Sequence, residues 1–248
     1  MLPQYSFGKN FKTIITGKEA WKEGPSINAD IACYTDGSKT EEGVGAGINI
    51  TEPKTKVSLS SSKKVTIFQA ETAAIRHCAE KLLRQEFKEK TIAIYSDSQA
   101  AIKAISSMQV NSKLVWNCLE KLQELGSQNK LSLAWVPGHT GYKGNEEADS
   151  LAREGARRSL IGPEPSCGTA KALQKTCNSN WKEKQSQKWW NEAPGMRQAK
   201  EFIKEPSPKF TEYLLNLNRR ATRVLVGPLT EHCRINKHMN NIGLADTA

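Results

Sequence analysis

The sequence predicts a mixed α/β domain, a five-stranded sheet flanked by helices, followed by a mainly helical basic extension. Three observations predict it. Apolar runs of strand length alternate with helical periodicities between Asp30 and Gly155. The first three runs are only a few residues apart. Beyond Gly155 the strand signals stop, while Lys, Arg and Trp accumulate.

Ile31 to Thr35 is the first strand, closing on the turn signal Asp36-Gly37-Ser38. Val44 to Thr51 reads as the second strand and Lys56 to Ser60 as the third, close enough for hairpin pairing. Gly43-Val44-Gly45-Ala46-Gly47 has the composition of a phosphate loop, but no helix opens after it. A strand approached closely by another backbone is the better expectation. From Phe68 to Phe87 the residues Ala70, Ala73, Ala74, Cys78, Leu82 and Leu83 recur at helical spacing. Thr91 to Tyr95 is the fourth strand, and Ser96-Asp97-Ser98 opens a helix through Ile102 and Ile105. Leu114 to Leu125 is a further helix, and Leu131 to Val136 a fifth strand stopped by Pro137-Gly138. Asn145 suits the N-cap of a last helix, with Glu146 and Glu147 favoured in its first turn. Short loops make the early strands antiparallel, and helical crossovers make the later ones parallel to the first.

This division gives an N-terminal extension over 1–29, the sheet domain over 30–158 and the helical extension over 159–248. In the last, Gly162-Pro163-Glu164-Pro165-Ser166 reads as a linker, and Pro194-Gly195 and Pro206-Ser207-Pro208 break the helices. Trp181, Trp189 and Trp190 have a spacing that suits a buried stripe. Thr211 to Val226 forms a last helical segment with Arg219, Arg220 and Arg223. No run approaches 18 apolar residues, which excludes a membrane-spanning helix. The first residues lack the apolar core of a signal peptide, so an intracellular place, nucleus or cytoplasm, is expected. None of the six cysteines forms a C-x-x-C pair, so they are expected to be reduced and mostly buried. His232, Cys233 and His238 fall short of the four ligands of a tetrahedral zinc site. The net charge of +10 is uneven, with +2 over residues 1–155 and +8 over 156–248. A near-neutral front half does not offer phosphate a broad basic face, whereas the extension can hold a nucleic-acid backbone or simply be solvated.

Four acids carry the chemistry. Asp36 ends the first strand, Glu71 opens a helix, Asp97 ends the fourth strand, and Asp149 lies about one turn into the last helix. In an open α/β sheet, ligands gather beyond the carboxyl ends of the parallel strands, so Asp36 and Asp97 meet if their strands are neighbours. Clustered carboxylates repel unless cations join them, and oxygen ligands suit Mg²⁺ or Mn²⁺. Two such ions can activate water and stabilise the leaving oxygen of a phosphodiester. Taken singly, each acid equally suits a turn, a cap or a helix face.

Their surroundings remove that ambiguity. Tyr34-Thr35-Asp36-Gly37-Ser38, Gln69-Ala70-Glu71, Tyr95-Ser96-Asp97-Ser98 and the run from Trp135 through His139 to Asp149 resemble ribonuclease H of type 1, in that family's order. The resemblance covers about Asp30 to Gly155. It implies an RNase H-like fold and hydrolysis of the RNA strand of RNA–DNA hybrids, with two Mg²⁺ ions (Mn²⁺ as the substitute) held by Asp36, Glu71, Asp97 and Asp149. His139 matches the loop histidine that assists proton transfer or product release, a task suited to imidazole near neutral pH. Gly37, Ser38 and Gln69 fall where the family approaches RNA, and contacts to 2′-hydroxyls there select RNA over DNA. The basic helical protrusion of some cellular members has no counterpart, which implies weak intrinsic grip on the hybrid.

The stretch from Leu225 to His238, with Ile242-Gly243-Leu244-Ala245-Asp246, resembles the region after ribonuclease H in polyproteins of insect non-LTR retrotransposons of the jockey type. That implies a truncated retroelement region, with a reverse transcriptase encoded elsewhere as a partner. Two other readings stand beside the enzyme. One is a dormant retroelement-derived module that binds nucleic acid through the basic extension and Trp189-Trp190. The other is an integrase-like strand transferase, which the run from Gly138 to Asp149 and the placement of Glu71 oppose.

Overall fold

The structure is a computed structural model that describes residues 2–21, 27–159, 168, 170–230, 240 and 243. The linker expected at 162–166, the His232, Cys233 and His238 group and the 242–246 segment (its Gly243 apart) lie outside the described residues. The chain divides into two compact units, Met1–Leu173 and Gln174–Ala248.

The first unit is built on a mixed sheet. β1 (Gln4–Tyr5) pairs antiparallel with β7 (Gln109–Val110) in a small ribbon of its own. The main sheet contains β2 (Phe11–Ile14), β3 (Ile31–Lys39), β4 (Val44–Ile50), β5 (Thr55–Ser61), β6 (Thr91–Ser96) and β8 (Lys130–Trp135), in the order β2-β8-β6-β3-β4-β5. All five expected strands are present. The sixth, β2, comes from the segment read as an N-terminal extension and lies parallel to β8 at the sheet edge. Its four residues are too short to stand out by periodicity. The same segment lays Trp21 into the core, edge-on to Tyr95 and Tyr142, and the Tyr142 hydroxyl donates to the Trp21 carbonyl.

Helices α1 (Ile67–Leu83), α2 (Gln99–Ser106) and α3 (Lys113–Gln128) join the strands, and α4 (Lys143–Arg157) closes the unit. The two faces of β4 show how the layers fit. Successive side chains of a strand point to opposite faces. Ala46, Ile48 and Ile50 join the apolar core with Ala74 and Ile75 of α1. Gly45 and Gly47, with Gly43 just before the strand, face α4, where a Cβ would run into the carbonyl oxygens of Ala152, Ala148 and Ala156. Glycines two apart on a strand thus match alanines four apart on a helix. This lets α4, which carries Asp149, lie directly on the sheet, as the glycine run led one to expect.

Three local readings change. β3 does not turn at Asp36-Gly37-Ser38 but continues to Lys39, because β4 remains paired to it through Lys39↔Val44. Asn145 is not the cap of α4. The helix begins at Lys143 after Tyr142, and Asn145 is buried inside it. Tertiary contacts set that start: a Cβ at Gly144 would strike the Tyr34 ring, and the Asn49 amide donates to the Gly144 carbonyl. Cys33, Cys78 and Cys118 are buried free thiols as expected, whereas Cys177 is exposed.

The second unit is helical, with α5 (Lys171–Glu192, its first turn in the other unit), α6 (Arg197–Phe202), α7 (Pro208–Leu215) and α8 (Arg219–Leu229). Thr211 to Val226 is therefore two helices, parted at Asn216–Asn218, where the Asn218 side chain caps α8. α5 has no buried residue, and Trp181 and Trp189 are exposed rather than core. No described helix is long and apolar enough to cross a membrane.

Candidate active site

The register of the sheet creates the site. β3 pairs with β6 in parallel only as far as Thr35↔Ser96, while its antiparallel pairing with β4 runs four residues further. Asp36 and Asp97 are thus the first residues beyond the parallel pair, side by side where the two ladders part. The Thr35 hydroxyl donates to the Tyr95 carbonyl and the Trp135 indole to the Asp97 carbonyl, which fixes both chain segments. Glu71 enters from α1, five residues past its Thr66 cap. A Cβ at Gly37 would stand 2.6 Å from the Glu71 backbone nitrogen, so the glycine is what admits α1 so close to β3. A side chain there would push Glu71 away from Asp36.

Asp36, Glu71 and Asp97 each bring a carboxylate oxygen within 4.8 Å of the others. Asp36 and Glu71 are buried and Asp97 is half-buried. Burial is the first cause that raises all three above the ordinary carboxylate range, and their mutual repulsion adds to it for Asp36 and Glu71. Asp36 is pushed up to about 8. Glu71 receives hydrogen bonds from Ser96 and the Gly37 backbone, yet its Oε2 has no hydrogen-bond partner among the described residues. A buried acceptor left bare is costly, and a hard cation would satisfy it. The donor set therefore fits a divalent ion of the Mg²⁺ or Mn²⁺ kind.

Asp149 stands apart from this trio. With His139 and Glu146 it forms a second group whose ligand atoms also lie within 4.8 Å of one another. His139 Nδ1 is 3.9 Å from Asp149 Oδ2, and Arg153, one turn along α4, reaches the same oxygen at 2.5 Å. The two groups still sense each other, because the Asp149 charge raises both Asp36 and Asp97. His139 itself lies in the exposed loop between β8 and α4 with φ of 53°, the left-handed region that non-glycine residues seldom adopt. A Cβ at Gly138 before it would be 2.8 Å from Asp97 Oδ2, so that carboxylate would have to move.

The residues expected to approach RNA are placed unequally. Ser38 and Gly37 lie on β3 next to Asp36. Gln69 is buried, with Oε1 accepting from the Thr66 backbone to close a capping box and Nε2 donating to the Gly168 carbonyl at 2.9 Å. Ser96 and Trp135 lay within the quoted blocks but were given no role, since they act through tertiary contacts with Glu71 and Asp97. Arg153 was missed, its one signal being the i,i+4 spacing from Asp149.

The chain thus has a six-stranded mixed sheet under helices, with acids clustered at the end of its central parallel pair. The RNase H family profile matches residues 28–157, just over half of the chain, and the chain belongs to that family. A protein named Ribonuclease H from a Polaromonas species is 29% identical over 151 residues, covering 55% of this chain and 94% of its own length. The family consists of ribonucleases that act on RNA–DNA hybrids and generally use divalent metal ions.

Proposed function

We propose that this chain is an RNA–DNA hybrid ribonuclease that cuts the RNA strand endonucleolytically, using two divalent ions held by Asp36, Glu71, Asp97 and Asp149. The observation that carries the reading is the trio of Asp36, Glu71 and Asp97, whose burial and raised proton affinities fit a cation site better than three free carboxylates. When bound, such ions activate the attacking water and stabilise the leaving oxygen. The protein's own part is positioning. Gly37 and Trp135 fix Glu71 and Asp97, and the His139 imidazole, on an exposed loop beside Asp149, moves a proton near the open side of the site. The β3 edge at Gly37-Ser38 approaches the RNA strand, and the Gln69 amide gives a 2′-hydroxyl the place now taken by the Gly168 carbonyl. A retroelement origin, with a reverse transcriptase as partner in the nucleus or cytoplasm, accords with the C-terminal motif.

One observation favours the dormant nucleic-acid-binding module instead, namely the Arg153 guanidinium on Asp149, which competes with a cation for that carboxylate. A single assay decides. Purified protein is incubated with a labelled RNA–DNA hybrid and Mg²⁺, alongside Asp97→Asn. Internal cleavage of the RNA by the wild type alone is expected. Intact RNA in both samples contradicts the enzyme, and equal cleavage by both rules out this site.

A further inference from the structure

The second unit carries an exposed surface to which the acidic site gives no role. Helices present about 3.6 residues per turn, so Trp181, Gln185 and Lys188 of α5 share a sector of about 60°, flanked by Lys184 and Trp189. All five are exposed, with Trp181 and Trp189 showing 63% and 62% of their surface to solvent. The rest of the unit meets α5 elsewhere. Trp190 Nε1 donates to the Ile203 carbonyl at 3.0 Å and Gln187 Nε2 to the Lys204 carbonyl at 3.3 Å. One side of the helix is thus packed, and the sector with two indoles and two lysines is open. No ion pair engages Lys184 or Lys188 among the described residues. From Gln174 to Thr230, eleven Lys and Arg face five Glu and no Asp.

We propose that this face of α5 is a binding platform for single-stranded nucleic acid, on which unstacked bases lie against Trp181 and Trp189 while Lys184 and Lys188 hold the intervening phosphates. Trp181 and Trp189 stand about 12 Å apart along the axis at 1.5 Å per residue, with both lysines between them in sequence. Alternation of aromatic faces and cations is what a single strand requires, because each base has a face to stack and each linkage a charge. A duplex keeps its base faces covered and would leave the indoles unused. An anionic bilayer suits the face poorly, since the residues around the indoles are Gln185, Asn178 and Gln174 rather than the aliphatic stripe of an interfacial helix. The platform is independent of the acidic site and exists whether or not that site turns over.

The test uses the full chain in EDTA, so that no cleavage occurs, with dye-labelled 20-nucleotide oligo-dT and oligo-U. Anisotropy and tryptophan emission are followed over a salt series. Saturable binding with quenched emission is expected. Trp181→Ala with Trp189→Ala should weaken it about tenfold or more and remove most of the quenching. Trp181→Phe with Trp189→Phe, which keeps stacking faces, should restore most of the affinity. Lys184→Gln with Lys188→Gln should lower the slope of log K against log salt by about 1.4. Affinity and quenching unchanged in the double alanine variant overturn the proposal, as does failure of the phenylalanine pair to rescue.

Discussion

Asp36, Glu71 and Asp97 are held inward by β3, α1 and β6, whereas His139, Glu146 and Asp149 belong to an exposed loop and the outer side of α4. Both groups bring three ligand atoms within the same 4.8 Å, but on opposite electrostatic terms. Among the described residues no Lys or Arg pairs with the inner trio, and only Asp97 feels the charge of His139. Burial and repulsion hold its carboxyl groups above their usual range. The outer group is half neutralised already by Arg153 and is screened by water. Equal spacing therefore does not mean equal chemistry. Deprotonated, the inner acids need a cation, while the outer ones can do without.

The comparison sharpens into graded effects. Loss of an inner acid, as in Asp97→Asn, removes cleavage altogether. His139→Ala acts on the outer group and leaves the inner site intact, so cleavage should fall on the order of 100-fold, the lower end for a lost proton-transfer group. Single-turnover and steady-state rates on the hybrid would measure it. Loss as complete as for Asp97→Asn would mean that the two groups form one inseparable site. Arg153→Ala should change least in stability, by less than about 0.5 kcal/mol, because its pair with Asp149 lies at the surface and spans one helical turn. Urea unfolding in EDTA reads that difference. A larger loss would mark the pair as part of the fold rather than the rim.

Much of this was legible in the residues. The four blocks around the acids named the family, and Asp36 and Asp97 were expected to meet if their strands were neighbours, which they are. Gly43, Gly45 and Gly47 announced a close backbone approach, and α4 supplies it. What escaped depended on partners distant in the chain. Asp36-Gly37-Ser38 has turn chemistry, yet the ladder to β4 holds it extended. Asn145 has cap chemistry, yet Tyr34 and Asn49 start the helix earlier. Phe11 to Ile14 becomes a strand only because β8 offers an edge. The Arg153 pair was signalled only by its i,i+4 spacing from Asp149, which does not show that the guanidinium takes one of the carboxylate oxygens.

The central claim is that the inner trio is a divalent cation site, and metal-free stability tests it most directly. Asp36 has a folded-state value near 8 against about 3.9 for an unfolded aspartate, and Glu71 and Asp97 are raised as well. The folded form therefore keeps protons that the unfolded chain has released. The contribution of these groups to stability in EDTA should be complete below about pH 4, fall steadily between about pH 4 and 8, and level off above that. Thermal unfolding is measured across that range with and without millimolar Mg²⁺ or Mn²⁺, for wild type and Asp36→Asn. The site predicts that the ions raise Tm of the wild type most at pH 8 and little at pH 5. It also predicts that Asp36→Asn is more stable than wild type in EDTA at pH 8 and gains less from metal. A wild-type Tm indifferent to both pH and metal would contradict it.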